Sequence, residues 1–374
     1  MLLSRPLIDG ELWWSALARH AERIGLGQLV PRHLMLIGNH CSLGSPLFPR
    51  QLTELNRRMQ LAKTTDSIIR RHTALPFYRP FLAPAKIAAA TASMTGNGNV
   101  EFELGLAAMK DHPKVLKYCP ACVQADLTDF GEAAWRVVHQ LPGSVLCAAH
   151  HCSLHNTPVS ARFTGQYVKL VTINMAGPGT PLNPPDSALD DLRWLAAANW
   201  DLLLGNPAQP GPAKLAEFYR RILTERGLRD DFGRLKFAEL VGAFQDRFRT
   251  LLPVVSCQLL DPDNRDNWLA RIVRYPRNEQ SPLKHLLVIR FLGLDLLPTL
   301  QAAAALPEPE RNSPKPRPPA RRSKHVTLEK VTQHREQWLA LRRNWTGGSL
   351  REHADTLYCW LWRNDNAWLK AHAR

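Results

Sequence analysis

The chain has 374 residues, enough for two or three domains with cores of their own. With 45% hydrophobic and 22% charged residues it is neither a disordered polyelectrolyte nor a fibrous repeat, and it has no apolar run of about 20 residues that could form a membrane span; the best stretch, Leu286 to Leu297, is broken by Arg290 and Asp295. The 48 Lys and Arg outnumber 33 Asp and Glu for a net +15, which points to a polyanionic partner.

That excess is uneven: residues 1–212 carry 19 basic and 15 acidic side chains, residues 213–374 carry 29 and 18. The C-terminal half is therefore the better candidate for a nucleic-acid surface. The opening MLLSRPLIDGELWW has no long apolar stretch and no small-residue cleavage site, so the expectation is a cytoplasmic protein.

From Gly10 to Gly25, the apolar residues Leu12, Trp13, Leu17, Ala18 and Ala21 recur at helical spacing and predict an amphipathic helix. A second periodic stretch runs from Phe48 to about Arg71, after the turn-rich IGNHCSLGSP at 37–46. We assign residues 1–112 to an N-terminal helical domain.

Residues 113–176 differ: metal-type side chains crowd around short apolar runs. The seven cysteines are an odd number, and Cys119-Pro120-Ala121-Cys122 in a reducing compartment speaks for a metal rather than a disulfide. After 24 residues comes Cys147-Ala148-Ala149-His150. Two such knuckles close a tetrahedron of thiolates and imidazole, the donor set zinc favours. His151, Cys152 and His155 are alternative fourth ligands; His150 is preferred because its spacer matches the first knuckle. Trp135 and Val138 are expected to pack beneath the metal, with base stacking the lesser reading of Trp135. The zinc is read as structural, since Pro120 lies inside the Cys pair and not ahead of it as in zinc deaminases.

Further on, GQYVKLVTINMAG at 165–177 suits a strand, and the Pro/Gly-rich 177–187 suits a hinge and domain boundary. Residues 187–300 follow as a helical domain, with helices predicted at 189–204, 214–227 and 237–252 and stops at Gly205 and Gly227. Six prolines between Pro307 and Pro319, amid arginines and lysines, make 301–325 an extended basic linker. The last unit, 326–374, reads as a helix from Val331 to Trp345, a turn at Gly347 and Gly348, a helix cap at Ser349, and a helix from Leu357 to Leu369. The fold class is thus mainly α: multidomain, with helix-turn-helix-type helical domains and a Cys3His zinc-binding module.

These motifs carry a resemblance. KYCPACVQADLTDFGEAAWRVVHQLPGSVLCAAHHCSL resembles the zinc-binding heart of the TniQ/TnsD family, through Cys119 to Cys122, Gly131 to Trp135, Leu141-Pro142 and Cys147 to His150. Upstream, Glu11, Ser15 and Arg19, and then His72, Thr73, Pro76 and Tyr78, are similar to the family's opening. Trp268, Leu269, Arg271, Arg274, Arg277, Pro282, Leu283 and His285 to Leu287 resemble a TnsD-type segment, and Trp360, Leu361, Asp365, Trp368 and Leu369 resemble TnsD tails. The resemblance implies a target-site selector of a heteromeric DNA transposon that binds double-stranded target DNA and recruits a TnsC-like AAA+ ATPase, which in turn brings the transposase. The alternative branch docks on an RNA-guided CRISPR Cascade complex and leaves sequence reading to the guide. By position in the family, Trp13, Trp14 and Arg19 are expected at the recruiting surface, with a place in the core as the other reading of the same residues.

Arginine suits guanine edges and asparagine suits adenine, while other cations hold phosphates. On that basis Arg363 and Asn364 are expected at bases, with Arg342, Arg343, Arg351 and Lys370 around them. Of Trp360, Trp362 and Trp368, at most one is expected near DNA and the rest in the core. Arg271, Arg274, Arg277 and Lys284 form a second cluster, with phosphate contact assigned to Arg274 and Arg277. Arg290, within an apolar run, reads as an ion-pair partner, and His285 as structural. The sequence lacks a Gly-x-x-x-x-Gly-Lys-Ser/Thr phosphate loop and a Gly-x-Ser-x-Gly elbow, so no enzymatic activity is expected.

Overall fold

A computed structural model describes residues 7–25, 29–31, 44–59, 63–105, 113–161, 167–229, 234–257, 267–274, 281–308, 328–346, 350 and 354–372. The fold is mainly helical, with two small sheets. The chain divides into two compact units, Met1–Pro309 and Glu310–Arg374.

In the first unit, the Trp13–Arg23 helix is buried continuously from Trp13 to Ala21. A helix buried on every face is the centre of a core, not its cover. It ends at Gly25, whose φ of 72° only glycine adopts without strain. The periodic stretch expected at 48–71 forms two helices, Leu52–Met59 and Thr65–His72, because Thr64 starts a new one: its hydroxyl accepts from Ser67 N at 3.2 Å. Leu75–Tyr78 and Pro84–Thr95 follow, the latter opened by its own proline. Most of the turn-rich 37–46 lies outside the described residues.

Val115–Tyr118, His155–Ser160 and Thr180–Pro181 build a three-stranded antiparallel sheet in that order. The Pro/Gly segment expected to be a hinge supplies its third strand, and Leu182 N donates to Leu154 O at 2.9 Å. Pro181 itself lies in that strand, opposite His155, which corrects the hinge expectation. The strand expected in 165–177 is Tyr167–Lys169, paired with Leu29–Pro31.

The Leu189–Leu204, Gly211–Glu225 and Phe237–Arg247 helices occupy the expected stretches. The third stops short of the expected residue 252, because Phe248 leaves helical geometry (φ −113°, ψ 21°) with its ring packed against Phe244 at 4.9 Å. Trp268–Arg274, Pro282–Phe291 and Leu296–Ala304 complete the unit. No single helix among the described residues is long and apolar enough to cross a membrane. Asp191, buried, accepts two hydrogen bonds of 2.7 Å from Arg247 and one of 2.8 Å from Arg290, so Arg290 is an ion-pair partner as its apolar setting suggested.

In the second unit, Leu328–Asn344, Asp355–Asn364 and Asn366–His372 enclose Trp338, Leu361 and Leu369. The helix expected from 357 to 369 breaks at Asp365 (φ −154°), whose carboxylate accepts from Arg335 Nε. Gly347, Gly348 and Ser349 lie outside the described residues. Trp360 stacks on His334 at 3.7 Å and Trp368 on His372 at 4.4 Å, while Trp362 is the exposed one, at 47%.

His285 has the structural role expected of it. Its Nδ1 is 3.1 Å from the Tyr219 hydroxyl and its ring stacks on Phe81 at 4.8 Å. Burial holds it down to about 3, against 6.5 when solvated. Between those values the unfolded chain takes up a proton that the folded chain refuses. Stability is thus fully present above pH 6.5 and falls as pH drops through the window, by up to about tenfold in the folding equilibrium per pH unit. Thermal melts from pH 7.5 to 5 should fall less for His285→Gln than for the parent; equal slopes would remove this assignment.

A candidate metal centre and the polar lock beside it

The strand Val115–Tyr118 delivers Cys119 to the start of the Pro120–Phe130 helix, where it is the N-cap: its Sγ accepts from Cys122 N at 3.4 Å. Pro120, with no N–H to satisfy, sits on the first turn, where it is best tolerated. The second knuckle is a tight turn: Cys147 N donates to Cys152 O and His151 N to Cys147 O, both at 2.9 Å, with His151 at φ 54°. These turns point Cys147 and His150 at the first pair.

The ligand atoms of Cys119, Cys122, Cys147 and His150 all lie within 4.8 Å of one another. Sγ of Cys122 and Cys147 are 3.7 Å apart, and His150 Nδ1 is 3.6, 3.3 and 3.6 Å from Cys119, Cys122 and Cys147. A tetrahedron with zinc–ligand bonds of about 2.0–2.3 Å has edges of about 3.6–3.8 Å, so the cluster fits zinc by spacing and donor type. Thiols packed so closely cannot all ionise alone. Hydrogen bonding with Cys122 and Cys147 pushes Cys119 up, while bonds from Cys119 and Cys122 pull Cys147 down. A divalent cation would let all three be thiolates.

Cys152, an alternative ligand by sequence, places Sγ 3.3 Å from that of Cys119 but is not part of the mutual set of four. His151 is exposed, and His155 packs on Tyr118 at 5.4 Å. Leu154, fully buried, clusters with Cys119 and Cys147, and Ala121 and Leu182 pack against that cluster. Trp135 lies fully buried in the main core, with Nε1 donating to Val171 O at 2.8 Å, which excludes a base-stacking role. Sequence reasoning passed over His139, buried with Nε2 3.9 Å from Cys122 Sγ; its only signal is a lone histidine between the knuckles.

Past Gly131 (φ 74°), the chain crosses to the N-terminal helix. Arg19 donates to both carboxylate oxygens of Glu11 at 2.9 Å and reaches Glu132 at 2.9 Å; Arg23 also pairs with Glu132. Leu12 N donates to Trp135 O at 2.7 Å, Trp135 N to Ser15 Oγ at 3.0 Å, and His72 Nδ1 to Glu11 O at 2.9 Å. Burial pushes the Glu11 carboxyl up to about 7, against the opposing pull of Arg19. Trp13, Trp14 and Arg19 are 0%, 2% and 3% exposed. This corrects the expectation of a recruiting surface there in favour of the core reading: Trp13 and Trp14 fill the core, and Arg19 pairs with the buried Glu11 and the partly exposed Glu132.

The residues expected at DNA are distributed over both units. Arg271 and Lys284 are half-buried in the first, with Lys284 Nζ 5.8 Å over the Trp268 ring. The side chains of Arg274 and Arg277 lie outside the described residues. In the second unit Arg342, Arg343, Asn364 and Lys370 are exposed. Arg342 donates to His372 O at 2.7 Å, Asn364 Nδ2 to Trp360 O at 2.8 Å, and Lys370 Nζ lies 5.5 Å over the Trp362 ring. The Arg363 side chain and all of Arg351 lie outside the described residues.

Two outcomes test this region. Structural zinc contributes about 10 kcal/mol or more to small modules, so Cys122→Ser and Cys147→Ser should lose the metal and melt early, while Cys152→Ser keeps one zinc per chain by elemental analysis. Arg19→Met should cost about 3–5 kcal/mol, the usual effect of stripping one partner from a buried ion pair; urea titration followed by tryptophan fluorescence checks it.

Comparison with known proteins places these features. The family described as TniQ matches residues 4–154, and the family described as Tn7-like transposition protein D, TnsD, matches residues 195–314. The transposon Tn7 transposition protein TnsD of Escherichia coli is 27% identical over 383 residues, covering 96% of this chain and 72% of that protein. With the two family matches in tandem and this similarity running nearly end to end, the chain belongs to the TniQ/TnsD family of transposition proteins.

Proposed function

We propose that the chain selects the insertion site of a heteromeric DNA transposon: its C-terminal half binds double-stranded DNA sequence-specifically, and its N-terminal part recruits a TnsC-like AAA+ ATPase that brings the transposase. The observation that carries this reading is the tandem arrangement of a TniQ match and a TnsD match on one chain similar to a transposition protein over nearly its whole length. The basic excess of residues 213–374 supports it, since a duplex presents a dense row of phosphates.

In this reading the protein marks a site and performs no chemistry of its own. Zinc holds the Cys119 and Cys147 knuckles together as a structural ion. Arg363 and Asn364 read bases, while Arg342, Arg343, Arg351 and Lys370 in the second unit, and Arg271, Arg274, Arg277 and Lys284 in the first, hold the backbone. The regulator meets exposed side chains of the N-terminal part, since Trp13, Trp14 and Arg19 are buried.

Chromatin mapping of the tagged full chain in its host, with any neighbouring guide-RNA locus intact and deleted, tests the reading. A sharp peak that survives the deletion is expected; a peak that moves with the guide would make the chain an adaptor for an RNA-guided CRISPR complex instead. At the mapped site, Arg363→Ala should lose about 1–3 kcal/mol of discrimination against a mismatched base pair. Arg342→Ala with Arg343→Ala should weaken binding to all sequences alike and flatten its salt dependence.

A further inference from the structure

The first unit holds a basic site built from arginines other than those assigned above to DNA. A cleft of about 390 Å³ opens between the end of the Thr65–His72 helix and the segment after the Leu189–Leu204 helix. Arg70, Arg71 and Arg79 line it, together with the neutral hydrogen-bonding side chains of Ser67, Asn206 and Gln209.

Arg70 pairs with Asp66 at 2.7 Å and Arg71 with Asp9 at 3.3 Å, but all four side chains are more than half exposed. Such pairs exchange readily with water and with other anions. Arg79 differs. It sits in the short helical turn Arg79–Phe81, between the buried Tyr78 and Pro80, so its backbone is held rigidly. Its Nε is sealed from solvent without an acceptor, and no carboxylate among the described residues pairs with its guanidinium. Asp66, which acts on it, is already engaged by Arg70, whose like charge opposes it; burial lowers Arg79 below the usual guanidinium range.

Helix-terminal arginines commonly offset the helix dipole, which accounts for Arg70 and Arg71. It does not account for Arg79, which lies beyond that helix. The cleft, whose lining also includes Leu202 to Leu204, thus brings together one guanidinium with no carboxylate of its own and two held by exposed, exchangeable pairs, and phosphate, with oxygens on every side, can engage several at once.

We propose that this cleft binds a phosphate of the DNA backbone, a contact from the N-terminal part that supplements the C-terminal readers. The assignment of the phosphate to DNA rests on the function proposed above.

The test uses the full chain and a duplex of about 40 base pairs of arbitrary sequence, titrated by fluorescence anisotropy at several salt concentrations. Arg79→Gln should weaken binding about three- to tenfold and reduce the salt slope by about one, with Arg79→Lys restoring part of it and the thermal melt unchanged. Arg71→Gln, at an exposed position, should lower the slope in the same way and guards against a folding defect in the first variant. Unchanged affinity and slope in these variants, with Arg342→Ala still weakening binding, would overturn the cleft assignment and leave the proposed function standing. No DNA binding by the parent chain would overturn both. In a parallel melt with inorganic phosphate, stabilisation of the parent but not of Arg79→Gln, with DNA binding unchanged, would make the cleft a site for free phosphate and overturn the DNA assignment.

Discussion

Arg19 reaches across from the N-terminal helix to two carboxylates, Glu11 on its own segment and Glu132 beyond the Cys119–Cys122 knuckle. Its guanidinium is nearly sealed from water, so its charge is stable only while both partners stay in place. The surrounding bonds follow from that requirement. Ser15 caps the backbone of Trp135, Leu12 pairs with its carbonyl, and His72 donates to the carbonyl of Glu11. A helix that would otherwise only fill space is thereby keyed to one register against the Cys3His module.

This lock explains which parts of the molecule were legible in the sequence. The spacing of Cys119, Cys122, Cys147 and His150 was readable because tetrahedral coordination restricts how ligands can be separated along a chain. Glu11, Ser15, Arg19 and His72 were visible as motif residues but not in their role. Trp13, Trp14 and Arg19 read the same on a surface as in a core, because the polar stripe of Ser15, Arg19 and Arg23 that local spacing assigns to solvent is covered instead by Glu132 and Trp135, more than 100 residues away. The break at Phe248 comes from where an aromatic ring finds its neighbours, which no local pattern records. The Pro/Gly run at 177–187 satisfied every local sign of a hinge, yet its edge pairing with His155 and Asn156 is a long-range contact.

The arginines show how a net charge is divided between structure and surface. Asp191 gathers Arg247 and Arg290, Glu217 takes Arg220 and Arg221, and Asp365 takes Arg335. Arg226 donates to the carbonyl of Leu292 at the end of a neighbouring helix. Some of the arginines thus join helices to one another, and others brace the helix they sit on. The side chains that could meet a polyanion are the exposed remainder, which is why charge arithmetic points to a region but not to its residues.

The contacts between the N-terminal helix and the Glu132–Val137 segment also set an order for synthesis. Trp135 N and Ser15 Oγ are bonded across 120 positions of chain, so the first helix leaves the ribosome long before its partners do. Until Glu132 and Trp135 emerge, Arg19 has only Glu11 to face, and Leu12 N and Ser15 Oγ lack their partners on Trp135. The nascent N-terminal part therefore waits, incomplete, for the same stretch of chain that carries the Cys3His cluster, and its folding is completed together with that stretch.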